Sequence, residues 1–373
     1  MAFLIFNAGS SSLKFSLIDP DDRRVWTHGA IESPSGFERA VERAIADAGS
    51  FARLDSAAAV EAVVHRVVHG GLRFTAPVRI TPDVRAALDE LTPLAPLHNP
   101  PSLEAIDRAV AALGGVPHIA VFDTAFHATL APEARVYPLP YEWSDRWGLR
   151  RFGFHGLNHQ YCARRAAEMV AHSSGDFRIV VAHLGNGASV TAIADGASID
   201  TSMGFTPLEG LMMGTRSGSV DPGLLLHLQR ACGVSLEDLD RALNHESGLL
   251  GVSGVSSDMR TVVEAADAGN KRASLAVRIF AHRARQTIGA MTVTLGRVDA
   301  LVFSGGIGEH SWKVREAICS GLSCLGLDLD ADANRSARPD AVVSSPSSAG
   351  RILVVEARED VTMARAAKRC LGA

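Results

Sequence analysis

The sequence predicts a layered α/β protein of two domains. Three observations carry this expectation. Short apolar strands alternate with helical stretches along the chain, which implies helices packed on sheets. A glycine-turned hairpin near the N-terminus recurs close to mid-chain. With 373 residues, the chain is long enough to bury two cores. A composition of 47% hydrophobic and 21% charged residues is that of a folded globular protein.

Taken in order, residues 3–6 read as a short apolar strand, and 13–18 alternate apolar and polar after a turn at 7–12, which together make a β-hairpin. Residues 60–68 predict a strand, 81–91 a helix and 119–122 another strand. The run 179–184 is a strand of the first kind. Gly185, Asn186 and Gly187 follow it, and then a second alternating run at 188–194. The spacing Gly9 to Gly187 is 187 − 9 = 178 residues, close to half the chain, and suggests one supersecondary plan used twice. Helices are expected at 224–231 and 235–242, with one long helical stretch from 264 to 295. A strand at 300–303 enters a glycine turn at 304–308; a strand at 351–356 and a helix at 360–368 close the chain. The Ser-, Pro- and Ala-rich segment 336–350 reads as a mobile surface connection.

The net charge of −4 offers no general attraction to nucleic acid or to an anionic membrane, so any bound anion must be held by local positive groups. The five cysteines, Cys162, Cys232, Cys319, Cys324 and Cys370, are odd in number and lack a CxxC. This argues for buried free thiols in a reducing compartment. The first residues lack the charged region of a signal peptide, and no apolar run reaches the ~20 residues that span a bilayer. A cytoplasmic location is expected.

The turn at 7–14 gathers backbone N–H groups, three hydroxyls and the Lys14 ammonium, a donor set suited to one anion, although no GxxxxGK[ST] is present. A Ser-rich turn before a lysine is also ordinary surface chemistry. The turns at 185–187 and 305–308 also leave strands, and glycine lets backbone approach a ligand closely. Three strand-exit glycine turns suit a bound nucleotide. Arg66 ends an apolar strand and has the fork for a carboxylate or phosphate, with Val68 nearby as a wall or as plain core. Asp123 follows a buried strand, where α/β proteins place ligands. His155 stands between glycines, and Arg216 lies in a glycine-bounded loop with few structural reasons to hold a cation. Glu359 and Asp360 supply oxygens for Mg²⁺, or simply the acidic first turn of a helix.

Several segments together resemble the acetate kinases. They are residues 7–14, Arg66, 95–100, 122–127, 153–159, 183–187, 200–223, 253–260 and 304–310. The run DTSMGFTPLEGLMMGTRSG at 200–218 is the most specific, and the order of segments matches from end to end. The resemblance implies a duplicated ribonuclease-H-like, actin-like ATPase fold with nucleotide in the interdomain cleft. One domain would comprise 1–126 plus 361–373, and the nucleotide-binding domain 127–360.

The resemblance also implies the reaction and its residues. The γ-phosphoryl of ATP moves reversibly to acetate, giving acetyl phosphate and ADP, with Mg²⁺ or, in its place, Mn²⁺. By matching motif, Arg66 binds the acetate carboxylate, and Val68, Leu97, Phe154 and Pro207 surround its methyl. His155 and Arg216 stabilise the transferring phosphoryl, Asn7 and Glu359 hold the metal or its waters, and Lys14 faces the phosphates. His183, Leu184, Gly185, Asn186 and Gly187 embrace the nucleotide with Asp258, Met259 and Arg260, and with Gly306, Ile307, Gly308, Glu309 and His310. Asp123 matches a position assigned as proton donor or acceptor; acetate is already ionised at pH 7, so orienting Arg66 or a metal-bound water is the better expectation. The family forms homodimers, and no nucleic acid or membrane partner is implied. The chain departs from the family pattern at Ser219, His310, Leu157 and Asn158. The alternatives are a propionate or butyrate kinase, and a non-catalytic actin-like nucleotide-binding protein.

Overall fold

A computed structural model describes residues 2–9, 12–19, 21, 24–32, 37–54, 60–96, 98–172 and 175–372. Ser10 and Ser11 of the first turn and Leu97 lie outside the described residues. The chain divides into two compact units. The first is Met1–Ala128, Gly156–Tyr161 and Arg358–Ala373; the second is Thr129–His155 and Cys162–Ala357.

The first unit is built on a six-stranded sheet of β1 (Ala2–Ala8), β2 (Ser12–Ile18), β3 (Val25–Glu32), β4 (Val60–Val67), β5 (Val78–Arg79) and β6 (His118–Phe122), in the order β3-β2-β1-β4-β6-β5. β1 to β3 form an antiparallel meander, β4 and β6 continue parallel to β1, and β5 runs antiparallel at the edge. β1 and β6 read as continuous apolar runs because both their faces are covered. Leu4, Phe6, Leu13 and Leu17 pack with Phe37, Val41 and Ala44 at the start of the helix Glu38–Leu54. Val67, Ala120 and Phe122 pack with Leu88, Leu103 and Ile106 from the helices Pro82–Asp89 and Asn99–Ala112. Full burial of each Leu, Ile or Phe here contributes roughly 1.5–3 kcal/mol. The closing helix Glu359–Leu371 lies on β6, β4, β1 and β2, which returns its first residues to this sheet.

The second unit repeats the plan with β7 (Arg178–Leu184), β8 (Ala188–Ala194), β9 (Ala197–Thr201), β10 (Ala300–Ser304), β11 (Ala341–Val342) and β12 (Arg351–Val354). Their order is β11-β12-β10-β7-β8-β9, the same walk across the sheet as in the first unit. β7 to β9 form an antiparallel meander, β10 and β12 are parallel to β7, and β11 is antiparallel. The helix Lys271–Leu295 covers β7, β8 and β9, burying Phe280, Ile288 and Leu295. The duplicated α/β architecture read from the sequence is therefore the fold observed. The strand registers shift the expected repeat by two residues. Gly9 closes its turn by donating its N–H to the Ser12 carbonyl, and Gly185 does the same to the Gly187 carbonyl, so Gly185 is the counterpart of Gly9. The same registers match Asn7 with His183, Lys14 with Ser189, Arg66 with Ser304 and Asp123 with Ala357.

Four local expectations are corrected. The stretch 264–295 is two helices, Met259–Asp267 and Lys271–Leu295, because Asn270 caps the second by accepting the Ala273 N–H at 3.0 Å. The glycine turn at 304–308 is the start of a short helix, Gly305–His310, entered directly from β10. The segment 336–350 carries β11 and is tied down: Val343 N–H bonds the Ile352 carbonyl, and the Ser348 hydroxyl bonds the Gly350 carbonyl at 2.6 Å. Serines read as loop residues became backbone ties. Finally, all five cysteines are free, but only Cys162 and Cys319 are buried. No helix among the described residues is long and apolar enough to cross a membrane.

Candidate active site

In the first unit the C-terminal ends of the parallel strands, with the adjoining β-hairpin, gather the charged groups. Arg66, next to last in β4, sends Nε to Asp123 Oδ1 at 2.9 Å and Nη2 to Asp123 Oδ2 at 2.5 Å, a bidentate fork. Its Nη1 donates to Asn7 Oδ1 at 3.0 Å, and Asn7 Nδ2 donates to Glu359 Oε2 at 3.1 Å. Four side chains from β1, β4, the turn after β6 and the closing helix thus form one network. Burial works against the Arg66 charge, but the carboxylates of Asp123 and Glu359 outweigh it and hold the guanidinium firmly protonated. Burial pushes the Glu359 carboxyl above the usual range; Arg66 and Lys14 oppose this, and Asp123 adds to it. Lys14, directly opposite Asn7 on β2, is exposed. Asp360, expected as an alternative oxygen donor, is instead bonded by Arg358 at 2.9 and 3.0 Å, while Glu359 enters the network.

Behind Arg66 the chain is pinned. Val68 is buried, and the following His69 backbone is gripped by Asn99, which accepts the His69 N–H and donates to the His69 carbonyl, both at 3.2 Å. Gly70 N–H bonds the Thr124 hydroxyl at 3.1 Å. Gly70 follows the strand that carries Arg66, and Thr124 directly follows Asp123, so the loop holding Val68 is set beside the network.

In the second unit glycine turns follow β7 and β10, and His155 and Arg216 lie in loops outside the strands. Gly305 has φ +78°, and a Cβ there would lie 2.8 Å from the Leu184 carbonyl oxygen, so the two glycine turns are packed backbone on backbone. A Cβ on Gly185 would lie 3.9 Å from the Gly306 nitrogen. Gly187 is flanked by the ends of two nitrogen-bearing side chains: a Cβ there would meet His155 Nε2 at 3.1 Å and Arg216 Nη1 at 3.8 Å. His155 holds a left-handed backbone, φ 56°, at the start of the helix Gly156–Met169. Its Nδ1 lies 3.0 Å from Ser189 Oγ, and its ring stacks on His183 with centroids 4.3 Å apart. Arg216 donates to the Pro207 carbonyl at 3.3 Å, and burial lowers its hold on the proton from the ordinary arginine value.

The Arg216 loop is fixed by backbone. Met213 N–H bonds the Arg216 carbonyl, Gly214 N–H bonds the Asn186 carbonyl, and Ser217 N–H bonds the Leu243 carbonyl at 3.0–3.1 Å. Phe154 is buried and Pro207 half-buried. Arg151 donates to the carbonyls of Thr201, Ser202 and Met203 and pairs with Glu209 at 2.8 Å, holding the run before Pro207. Asp258 caps its helix by accepting the Arg260 N–H; Met259 is buried and Arg260 exposed. Glu309, expected among the nucleotide contacts, turns its carboxylate inward to the N–H groups of Gly305 and Ala357 at 2.9 and 3.0 Å. Ile307 is half-buried and His310 exposed on the same short helix. Among the departures, Ser219 is exposed and accepts the Gly210 N–H at 3.0 Å, while Leu157 and Asn158 are buried.

Among the described residues, no three His, Cys, Asp or Glu side chains gather as a metal cage. The donor set of Asn7 and Glu359 nevertheless fits Mg²⁺, which prefers hard oxygens and takes only one or two carboxylates when phosphates complete its shell. The sequence reading missed Ser189, which sits in an ordinary alternating strand; its place opposite His183 across β7 and β8 is visible only from the register.

A family profile described as the acetokinase family matches residues 32–365. An acetate kinase of Synechococcus sp. (strain JA-2-3B'a(2-13)) is 46% identical, covering 100% of this chain and 99% of its own. One from Gloeobacter violaceus is 52% identical over 82% of this chain and 76% of its own. Among solved structures, the acetate kinase of Porphyromonas gingivalis is similar with TM-score 0.91 and 38% identity, covering 99% of both chains. A propionate kinase from Francisella tularensis is similar with TM-score 0.89 and 35% identity, covering 98% of both.

Proposed function

The chain belongs to the acetokinase family, and from that premise we propose that it transfers the γ-phosphoryl of ATP reversibly to acetate, giving acetyl phosphate and ADP. The observation that carries this reading is the convergence of His155 Nε2 and Arg216 Nη1 on Gly187. Binding a nucleotide requires no such pair. Taking up charge on a transferring phosphoryl group does, because phosphoryl transfer asks the protein for position and charge neutralisation rather than covalent chemistry.

In this reading Arg66 fixes the acetate carboxylate with the N–H groups that Asp123 and Asn7 leave over. Acetate is ionised at neutral pH, so its oxygen attacks phosphorus without a base, and Asp123 serves to orient Arg66. Val68, Leu97, Phe154 and Pro207 border the methyl group. His155 and Arg216 stabilise the phosphoryl oxygens in flight, and Lys14 offsets phosphate charge. Residues 183–187 and 306–308 approach the nucleotide through backbone, with 258–260 beside it. Asn7 and Glu359 would hold Mg²⁺, which when bound would supply further charge neutralisation. A homodimer in the cytoplasm belongs to the same proposal, and light scattering on the purified chain tests the dimer.

The test is acyl hydroxamate formation with Mg-ATP, with kcat/KM measured for acetate, propionate and butyrate. Preference for acetate supports the reading. The likeness to a solved propionate kinase keeps a second reading in view, since one methylene in an apolar pocket discriminates only ~1–3 kcal/mol. A higher kcat/KM for propionate would replace acetate as the substrate; no acyl phosphate from any of the three would remove the reaction.

A further inference from the structure

Pro207 stands in the middle of a bend at 205–209, and the two ends of that bend meet on one hydroxyl. Tyr137 Oη accepts the Phe205 N–H at 2.8 Å and donates its own proton to Glu209 Oε2. A backbone N–H can only donate and an ionised carboxylate can only accept, so the hydroxyl has one role toward each. Burial and the bond to Glu209 push the Tyr137 phenol above its ordinary value, which keeps the proton on the hydroxyl. The other carboxylate oxygen, Glu209 Oε1, accepts from Arg151 Nη2 at 2.8 Å. The Arg151 guanidinium also lies over the Tyr137 ring, 5.7 Å from its centroid. Three side chains thus close on one another around the bend.

The arrangement needs glycine at 204, where a Cβ would overlap Glu209 Oε2 and Tyr137 Oη. The Gly204 carbonyl accepts the N–H groups of Phe152 at 3.0 Å and Gly153 at 3.3 Å, and buried Phe154 comes next in the chain. The bend that carries Pro207 and the segment that leads to Phe154 are therefore fastened at the same place. Within the bend, the Pro207 carbonyl accepts from Arg216 Nη1 at 3.3 Å.

We propose that Tyr137, acting through Glu209, is a positioning residue that fixes Pro207 relative to Phe154 and thereby limits the length of acyl chain the enzyme accepts. This rests on the reaction proposed above, in which both residues border the methyl group. An apolar pocket rejects one extra methylene only through the fit of its walls. A wall on a bend that can open gives way to a longer acid, whereas a bend closed at both ends holds its place. Phenylalanine at 137 keeps the ring and removes the tie.

The experiment is acyl hydroxamate formation with Mg-ATP, comparing kcat/KM for acetate and propionate in wild type, Tyr137→Phe, Glu209→Gln and the double variant. In Tyr137→Phe the acetate value is expected to fall about fivefold, as for one lost hydrogen bond, with the propionate value nearly unchanged. The ratio of the two then falls several-fold, while the KM for ATP stays within about twofold. Glu209→Gln should move the ratio the same way. The double variant should fall short of the product of the single effects, because the two changes remove a shared bond. If the wild type prefers propionate, the same comparison is made between propionate and butyrate. An unchanged ratio in Tyr137→Phe, an equal fall for every acid, or single effects that multiply in full would each overturn the proposal. Should Glu209→Gln fail to fold, the Tyr137→Phe ratio decides alone. A wild type that forms no acyl phosphate would instead remove the reaction itself, so the two failures are distinguishable.

Discussion

Arg66 and Asp123 meet edge to edge, Nε to Oδ1 at 2.9 Å and Nη2 to Oδ2 at 2.5 Å, and the aspartate side chain is only 1% exposed. Of the five N–H groups on the guanidinium, these two and one to Asn7 are taken up among the described residues. What remains is on the terminal nitrogens, where a second carboxylate can be received. Asp123 is thus placed as the support of an arginine, not as a group that faces substrate alone.

Lysine in place of Arg66 keeps the charge and loses the fork. For Arg66→Lys the KM for acetate is expected to rise about tenfold or more, from loss of a charged bidentate contact, with the KM for ATP within about twofold. Steady-state kinetics with each substrate varied check this; an equal rise in both would deny Arg66 a role in holding acetate.

Asp123→Asn replaces an acceptor by an amide NH₂ that faces the guanidinium. Loss of orientation is expected to lower kcat about tenfold or more and raise the acetate KM. Near-normal kcat with unaltered Mg²⁺ dependence would remove both the orienting role and a role toward metal-bound water.

Removing the Arg216 guanidinium, in Arg216→Ala, is expected to lower kcat about 10³-fold, as for an arginine finger. Gly187→Ala makes a finer test. Gly187 has no left-handed backbone, so alanine brings no strain of its own; its methyl would sit 3.1 Å from His155 Nε2. The melting temperature is expected to stay within about 3 °C, and kcat to fall about 10- to 100-fold as His155 and Arg216 are displaced. An active Gly187→Ala would mean the phosphoryl group passes elsewhere.

Acid should weaken the first unit through its buried histidines. Burial pushes His69 down to about 4, and burial lowers His65 and His118 as well, with His118 opposing the charge on His65. Each has a folded value below the unfolded 6.5, so their contribution is fully present above pH 6.5 and is lost as the pH falls through the folded values. For His69 the shift from 6.5 to 4 corresponds to on the order of 3 kcal/mol. Thermal unfolding between pH 7.5 and 4.5 should show a steep fall beginning below pH 6.5, shallower in His69→Asn. A flat profile in this window would rule the mechanism out.

Glu359 has the opposite sign. Its carboxyl is raised by burial, so holding it ionised opposes folding above the unfolded carboxyl range. Glu359→Gln is expected to raise the melting temperature at pH 7 and to abolish most activation by Mg²⁺; a lower melting temperature would contradict the first part.

Much of this was legible in the sequence because strands with both faces covered must be apolar throughout, and β1, β6, β7 and β10 read that way. Gly185, Gly187 and Gly305 stand out as residues, Arg66 stands out as a fork at the end of an apolar strand, and Arg216 because a glycine-bounded loop has few structural reasons to hold a cation. What the sequence hid was where side chains turn. Glu309 is a nucleotide contact only by what the resemblance implies, and nothing in the sequence shows that its carboxylate accepts from the backbone N–H groups of Gly305 and Ala357. Ser189 reads as filler, because its partner at 155 is 34 residues away. The repeat itself was visible, but its offset depended on which residue closes each turn, and that is a hydrogen bond rather than a pattern.

The matched strand registers have a consequence for how such a molecule can change. Asn7, Lys14, Arg66 and Asp123 stand where the other sheet has His183, Ser189, Ser304 and Ala357. Paralogous halves have thus divided one labour. In the reaction proposed above, the half that would grip the small acid carries Lys14, Arg66 and Asp123 where its sibling carries Ser189, Ser304 and Ala357. On that reading a single exchange, such as Ser304→Arg, would not give the second sheet the grip proposed for the first.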